Sequence, residues 1–266
     1  MNILQRLLEL RDEKNAKFNA RLIPTVEPEN ILWTKIPVLR KLAQELKNSD
    51  ERSDFLSQLP HQYLEENLLH WIFIEQEKDF WSAISKLEQF LPFIDNWEVC
   101  DIFCPKIFKR YPQETYQQIK IWIKSSHCYT ARYAIGLLLS NFLDQEFKVE
   151  MLDLVAKIKS EEYYIQMMQA RYFATALAKQ YEATIPLIEG KILEPFVQNK
   201  TIQKNMNMSR KLALNLAGIY KNKHSKKTPM SHIMFDCLMD PHHLLTVLGK
   251  NWVPCLWADA AACFMI

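Results

Sequence analysis

Glycine is scarce in this chain of 266 residues, and this scarcity limits the folds that the chain can adopt. Its four glycines are Gly136, Gly190, Gly218 and Gly249. Folds made of many strands and tight turns need glycine at positions where the backbone has a positive φ. The chain is instead rich in leucine, isoleucine, lysine, glutamate, glutamine and alanine, most of which favour helices. The sequence therefore predicts an all-α fold.

Amphipathic segments with helical spacing follow one another along the chain, and short polar breaks separate them. The expected helices cover residues 2–20, 37–47, 52–58, 62–75, 78–90, 96–104, 113–124, 128–143, 147–157, 161–179, 182–189 and 201–221. A regular succession of short helix pairs is typical of a helical-repeat solenoid. Since a solenoid has a concave face, we expect such a chain to bind an extended partner there.

Several classes of protein are disfavoured by the composition. No run of about 18 apolar residues occurs, so the sequence predicts no membrane span. The N-terminus lacks a basic leader followed by an apolar stretch, so we expect no export signal. The six cysteines form no CxxC pair, which favours free thiols in a reduced, cytoplasmic setting.

The segment 94–101, with the sequence IDNWEVCD, reads as the start of a helix. Asp95 is expected to cap this helix, and Glu98 to reach back to the cap, as in a capping box. Trp97 and Asp101 are then four residues apart and share one face. A ring beside a carboxylate suits a flat cation, because both groups attract positive charge. The alternative is a core tryptophan and a solvated aspartate, and spacing alone favours that alternative.

Charge is unevenly distributed, although the net charge is only +2. Between residues 195 and 235 there are eight lysines or arginines and no acidic residue. These basic positions are 200, 204, 210, 211, 221, 223, 226 and 227. An uncompensated basic stretch is a candidate phosphate-contact surface, and we favour nucleic acid slightly over a solvated lysine-rich surface.

Other kinds of chemistry find little support in the sequence. No glycine-rich phosphate loop occurs, which argues against a nucleotide-dependent activity. His242 and His243 are adjacent and lack further ligands at zinc-site spacing, so a packing or surface role is favoured. Trp71, Trp81 and Trp122 lie among apolar neighbours and are expected in the core.

Six runs of residues carry a more specific signal when they are taken together. They are IPVLRKLA at 36–43, FLPFIDNW at 90–97 with Cys100 and Asp101, AIGLLLS at 134–140, YYIQMM at 163–168, FATALAK at 173–179 and NKTIQK at 199–204. In this order they resemble the AlkD-type DNA alkylation-repair family, from about residue 20 to residue 204. The resemblance implies a HEAT-like α-solenoid whose concave, basic face holds duplex DNA. The enzymes of that family are DNA glycosylases that excise cationic N3- and N7-alkylpurines without flipping the base into a pocket.

The resemblance also implies roles for individual residues. Trp97 matches the aromatic side chain beside the lesion, Asp101 the catalytic carboxylate, and Arg132 an arginine that contacts the DNA backbone. The chemistry of the residues agrees with these roles. An alkylated purine already carries a positive charge, so its glycosidic bond is weak, and a carboxylate need only stabilise the sugar cation and orient a water. No metal or organic cofactor is required.

Two departures from the family pattern stand out. Arg171 occupies the place of a second tryptophan of the family, and its fixed charge would repel a cationic base at close range. It could instead bind a phosphate, so that DNA binding persists where the chemistry is weakened. Upstream, Trp33, Thr34 and Lys35 stand where the family usually has Gly-Val-Arg, which is expected to alter how the first repeat approaches DNA.

The candidate site residues and the resemblance to the AlkD-type family together predict a DNA-alkylpurine glycosylase of base-excision repair. It would act as a monomer on duplex DNA, in the cytoplasm and associated with the nucleoid. Phosphate contacts are assigned to Arg132, Arg171, Lys200 and Lys204. Residues 1–225 would form the repeat domain, and residues 226–266 a tail whose packing the sequence does not reveal. Two alternatives stay open: a non-catalytic DNA-binding solenoid, which Arg171 favours, and a protein-binding helical scaffold.

Overall fold

The structure, a computed structural model, describes residues 2–12 and 20–207. In these ranges the regular elements are helices, and no strand occurs, which confirms the all-α prediction. The α-helices are α1 (Ile3–Glu9), α2 (Ile36–Glu45), α3 (Asp50–Ser57), α4 (Leu64–Glu75), α5 (Phe80–Phe90), α6 (Trp97–Asp101), α7 (Lys106–Arg110), α8 (Pro112–Trp122), α9 (Cys128–Asn141), α10 (Glu150–Ala156), α11 (Tyr163–Lys179) and α12 (Tyr181–Glu189). Short 3-10 turns occur at Ala20–Leu22, Pro28–Asn30 and Leu91–Phe93, and residues 195–207 are also helical.

Helix boundaries agree best with the sequence where the apolar periodicity is long. The helices predicted at 78–90, 128–143 and 161–179 begin and end within about two residues of α5, α9 and α11. The helix predicted at 96–104 is shorter, because α6 ends at Asp101 and a separate helix, α7, follows Pro105. The helix predicted at 2–20 is also shorter, because α1 ends at Glu9. Most of the helix predicted at 201–221 lies outside the described residues.

Two helices, α4 and α9, are buried along most of their length and organise the core. In α4, every residue from Leu64 to Ile74 is buried. This helix packs against α2, α5 and α6, whereas α9 packs against α6, α8 and, most extensively, α11. The short helix α6 is therefore held between the two buried helices. Each large apolar side chain buried here, such as Trp71 or Phe73, contributes about 1.5–3 kcal/mol to stability.

One of the three tryptophans that the sequence predicted to be core is not buried. Trp71 and Trp122 are buried as expected, but Trp81 is 60% exposed. The buried residues of α5 recur at helical spacing, at Phe80, Ala83, Ile84, Leu87 and Phe90. Position 81 is rotated by about 100° from position 80, so its side chain leaves that buried face.

The segment before α2 contains an unusual backbone conformation. Trp33 has a φ of 59°, in the left-handed region that residues other than glycine seldom adopt. The buried carboxylate of Glu65 accepts hydrogen bonds from the backbone N–H of Leu32 over 2.8 Å and of Trp33 over 2.5 Å. These bonds hold the conformation. A glycine adopts it without steric cost, which is a physical reason for the Gly-Val-Arg pattern that the resemblance implies at this place.

The chain divides into two units between Thr201 and Ile202, and only residues 202–207 of the second unit are described. The domain boundary predicted at residue 225 and the tail at 226–266 both lie outside the described residues. Across residues 2–12 and 20–207, none of the helices combines the length and apolar character that crossing a membrane requires.

Candidate active site

The helix α6 begins one residue later than its sequence suggests. Its N-cap is Asn96, whose Oδ1 accepts a hydrogen bond from the backbone N–H of Val99 over 2.9 Å. The prediction that Asp95 caps this helix is therefore wrong. Asp95 instead accepts a hydrogen bond from Asn96 Nδ2 over 2.8 Å. Aspartate and asparagine cap helices about equally well, so composition could not choose between two neighbours. With Asn96 as the cap, Glu98 is the second helical residue and is not placed for the capping box.

Trp97 and Asp101 begin and end α6, one helical turn apart. The ring of Trp97 is partly buried against the core, and its indole N–H donates a hydrogen bond to the carbonyl oxygen of Leu22 over 3.0 Å. This bond links the ring to the turn at Ala20–Leu22. The ring is thus held by a distant segment of the chain while part of it stays accessible.

Asp101 forms a nearly buried ion pair with Arg132 of α9. Arg132 Nε donates to Oδ1 over 2.8 Å and Nη2 donates to Oδ2 over 2.6 Å, so both oxygens of the carboxylate are engaged. The remaining Nη1 donates to the carbonyl oxygen of Tyr164 over 2.5 Å. Only 11% of the Asp101 side chain and 8% of the Arg132 side chain are exposed. Such charge-assisted, bidentate pairs fix the orientation of the carboxylate.

Electrostatics keep Arg132 charged in spite of its burial. Burial disfavours the charged form and by itself would lower the pKa of Arg132. The attraction and hydrogen bonds of Asp101 outweigh burial, so the pKa of Arg132 is raised. The pair therefore consists of a carboxylate and a guanidinium that hold one another in place.

Arg171 of α11 is the second guanidinium at this carboxylate. Its Nη1 lies 3.3 Å from Asp101 Oδ2, and 29% of its side chain is exposed. Burial is the main cause that lowers the pKa of Arg171; Asp101 opposes this effect, and the like charge of Arg132 adds to it. Arginine nevertheless stays protonated in proteins. Asp101, Arg132 and Arg171 are thus brought together from three helices, although 70 residues separate Arg171 from Asp101.

Two carboxyl groups, those of Glu98 in α6 and Glu65 in α4, interact with one another, and the sequence analysis did not predict this. Burial raises the pKa of Glu98 to about 7, and the like charge of Glu65 contributes to the same rise. Glu98 follows Trp97 directly in the chain. An ionisable group with a raised pKa is therefore adjacent in the chain to one of the two candidate site residues of α6.

The basic residues of the C-terminal prediction are only partly described. Lys200 Nζ lies 5.9 Å from the centroid of the Phe196 ring, at the distance of a cation–π contact. Lys204 belongs to the second unit. The basic residues from position 210 to 227 lie outside the described residues.

Fold and site together define an all-helical protein with an arginine-bound carboxylate one turn from a partly exposed tryptophan. The family model described as DNA alkylation repair enzyme matches residues 3–167, which is more than half of the chain. The chain therefore belongs to the DNA alkylation repair enzyme family. This membership supports a role as an enzyme of DNA alkylation repair, with DNA as its partner.

The matched region includes Trp97, Asp101 and Arg132, and it ends before Arg171. It begins earlier and ends earlier than the resemblance seen in the sequence runs. No curated protein gives a significant match to the chain, and no solved structure does.

Proposed function

We propose that this protein is a DNA glycosylase that excises cationic N3- and N7-alkylpurines from duplex DNA in base-excision repair. One observation carries the proposal: the carboxylate of Asp101 is oriented by Arg132 and lies one helical turn from the ring of Trp97. A fixed carboxylate and an accessible aromatic ring both favour a partner that carries or develops positive charge. A cationic alkylpurine nucleotide has positive charge on the base at first and on the sugar at the transition state.

The proposed reaction is a hydrolysis of the glycosidic bond. As this bond breaks, its electron pair goes to the purine, which leaves as a neutral base, and positive charge develops on the sugar. A water oxygen then bonds to C1′ and releases a proton to the surroundings. The carboxylate of Asp101 stabilises the sugar cation, and at 4 Å two unit charges attract by about 4 kcal/mol at an effective dielectric of about 20. The two arginines reduce that gross attraction.

We assign Arg132 primarily to positioning the carboxylate. Three of its nitrogens already donate hydrogen bonds within the protein, two to Asp101 and one to Tyr164. A contact between Arg132 and the DNA backbone, as the resemblance implies, therefore calls for a rearrangement of these bonds. The more exposed Arg171, together with Lys200 and Lys204, is proposed to contact phosphates.

We further propose that the helices form a HEAT-like solenoid with a concave face for duplex DNA. Support comes from the packing of helices that are neighbours in the chain, such as α8 with α9 and α11 with α12. Helices two apart in the order also pack together, as in the pairs α2–α4 and α9–α11. In this proposal residues 1–225 form the binding domain, and the protein acts as a monomer in the cytoplasm, associated with the nucleoid.

A second candidate function is DNA binding without catalysis. Arg171 favours it, because its guanidinium lies at the same carboxylate oxygen that would face a cationic sugar or base. A positive charge at this distance opposes the attraction on which the proposed reaction depends. The two candidates differ in one measurable property, the release of free base.

The test is an assay of base release from duplex DNA that contains N7- or N3-methylated purines. We expect the wild-type protein to release methylpurine, and Asp101→Asn to reduce the rate by roughly a hundredfold or more, as for the loss of one key electrostatic group. Asp144→Asn is the matched control, because it neutralises an exposed carboxylate that pairs with Lys179. Wild-type protein that binds methylated duplex but releases no base would establish the second candidate.

A further inference from the structure

We infer that Arg171 determines the charge specificity of this site, by weakening the preference of Asp101 for cationic over neutral partners. The inference rests on the proposed function, since it takes Asp101 as the group that faces the damaged nucleotide. It goes beyond that proposal because it concerns how strongly the site distinguishes cationic from neutral nucleotides. Arg171 is thereby a specificity-determining residue and not a catalytic one.

The geometry gives the two arginines different positions at the carboxylate. Asp101 Oδ2 lies 2.6 Å from Arg132 Nη2 and 3.3 Å from Arg171 Nη1, so the two guanidinium groups share one oxygen. Arg132 is nearly buried and also bound to the Tyr164 carbonyl, whereas the side chain of Arg171 is 29% exposed. Arg132 is therefore the inner, fixed partner. Arg171 is the more exposed partner of the carboxylate.

The balance of charge follows from these positions. Asp101 and Arg132 alone form a pair with no net charge, in which the carboxylate can still attract a cation on its accessible side. Arg171 adds a second positive charge at the carboxylate, at 3.3 Å from Oδ2. Because Coulomb energy falls with distance, a guanidinium in contact with the carboxylate cancels much of its attraction for an approaching cation. A neutral partner does not experience this loss.

Two further titratable groups that interact with the Asp101–Arg132 pair add no charge to it. Cys100 and Tyr129 both interact with Arg132, and Cys100 also with Asp101. Burial is the largest cause that raises the pKa of Cys100 and of Tyr129. Both groups are therefore protonated and uncharged at neutral pH. Arg171 is the group whose substitution should alter the charge response of the carboxylate.

A pair of abasic-site analogues tests the inference by binding alone. One duplex carries a pyrrolidine in place of the sugar, which is cationic at neutral pH, and the other carries the neutral tetrahydrofuran. For the wild-type protein we expect affinities for the two duplexes that agree within about threefold. The quantity compared between variants is the ratio of the affinity for the pyrrolidine duplex to the affinity for the tetrahydrofuran duplex. For Arg171→Met we expect this ratio to rise by about tenfold, which corresponds to about 1.4 kcal/mol. Methionine keeps an unbranched apolar side chain with a similar helix propensity but removes the guanidinium and its charge.

Further variants show whether the effect acts through the carboxylate. Arg171→Lys, which restores the charge, should return the ratio toward the wild-type value. In Arg171→Met, the additional change Asp101→Asn should remove the preference for pyrrolidine. Lys179→Met is the matched control, because it removes a positive charge from the same helix about 12 Å along the axis, from a pair with Asp144. Its ratio should equal that of the wild type.

Three results would overturn the inference: an unchanged ratio in Arg171→Met, an equal shift in Lys179→Met, or no measurable binding of either duplex at low salt. Circular dichroism verifies that each variant is folded, and Arg171→Gln replaces Arg171→Met if the latter is not. The proposed function fails separately. If Asp101→Asn leaves base release unchanged while the ratio shifts as expected, only the glycosylase proposal is lost. If base release depends on Asp101 and the ratio does not shift, only the inference is lost.

Discussion

Arg132 donates hydrogen bonds to both carboxylate oxygens of Asp101, from Nε over 2.8 Å and from Nη2 over 2.6 Å. The two residues are 31 positions apart and belong to different helices, α6 and α9. Because both side chains are nearly buried, little water is available to replace either partner. The carboxylate of Asp101, the proposed catalytic group, therefore also links the short helix α6 to the buried helix α9.

The first prediction concerns the stability that this pair provides. Arg132→Met leaves the buried carboxylate with Arg171 as its remaining guanidinium, so we expect the free energy of unfolding to fall by about 3–5 kcal/mol. Urea denaturation followed by circular dichroism measures the change. Lys159→Met is the control, since it breaks an exposed pair with Glu194 and should cost less than about 1 kcal/mol. A similar loss in both variants would contradict the structural role of the buried pair.

The second prediction concerns the ring of Trp97. Trp97→Ala should slow the release of methylated purine by about tenfold, because a desolvated cation–π contact contributes on the order of 1–2 kcal/mol. Trp97→Phe should slow it less, since a ring remains although the hydrogen bond to Leu22 is lost. Single-turnover base release measures both rates. Trp81→Ala, at an exposed tryptophan on α5, should match the wild type, and a comparable decrease there would exclude a specific role for Trp97.

The third prediction concerns phosphate contacts. Affinity for duplex DNA should fall with salt, and the slope of log affinity against log salt should decrease by about 0.9 for each lost phosphate contact. We expect that decrease for Lys200→Gln and for Lys204→Gln, measured by fluorescence anisotropy between about 50 and 200 mM salt. The exposed Lys124, changed to Gln, serves as the control. Slopes that stay at the wild-type value would remove both lysines from the proposed DNA surface.

The fourth prediction concerns Glu98 and pH. Its pKa is about 7 in the folded protein against an ordinary value of 4.5, so between these values the folded state binds more protons than the unfolded state. This contribution to stability is present below about pH 4.5 and is lost as the pH rises through about 7. Glu98→Gln, which resembles the protonated form, should therefore raise stability at pH 8 by on the order of 2 kcal/mol and change it little at pH 5.

Thermal unfolding at the two pH values measures the effect of Glu98→Gln. Glu88→Gln, at an exposed position of α5, should give the same small change at both pH values. If the gain from Glu98→Gln were also the same at pH 5 and pH 8, burial of an ionisable group would not be its cause.

Much of the helical architecture could be predicted from periodicity, because long amphipathic segments such as α9 and α11 bury one face wherever they pack. The short elements could not. The break between α6 and α7 occurs within a stretch whose apolar spacing continues across Pro105. Trp81 was misplaced because the prediction considered its apolar neighbours and not the helical spacing of α5, which turns position 81 away from the buried face.

At the candidate site, the sequence predicted that Trp97 and Asp101 share a short helix, since four residues separate them. It did not predict that Arg132 and Arg171 meet at one carboxylate oxygen. That contact depends on how α9 and α11 pack beside α6, across 31 and 70 residues of chain. The proximity of Glu98 to Glu65 has the same origin, because local spacing does not encode long-range packing.

Cys100, which lies between Trp97 and Asp101 in α6, affects how the protein reacts with alkylating agents. Cys100 is buried, and its Sγ donates a hydrogen bond to the carbonyl oxygen of Tyr129. Burial raises the pKa of Cys100 well above the ordinary range of a thiol. Burial also raises the pKa of Cys104 and of Cys128. The electrophiles that damage purines also attack cysteine, and they react with the thiolate form. Since burial favours the protonated form of Cys100, we expect the helix that carries Asp101 to react slowly with such electrophiles.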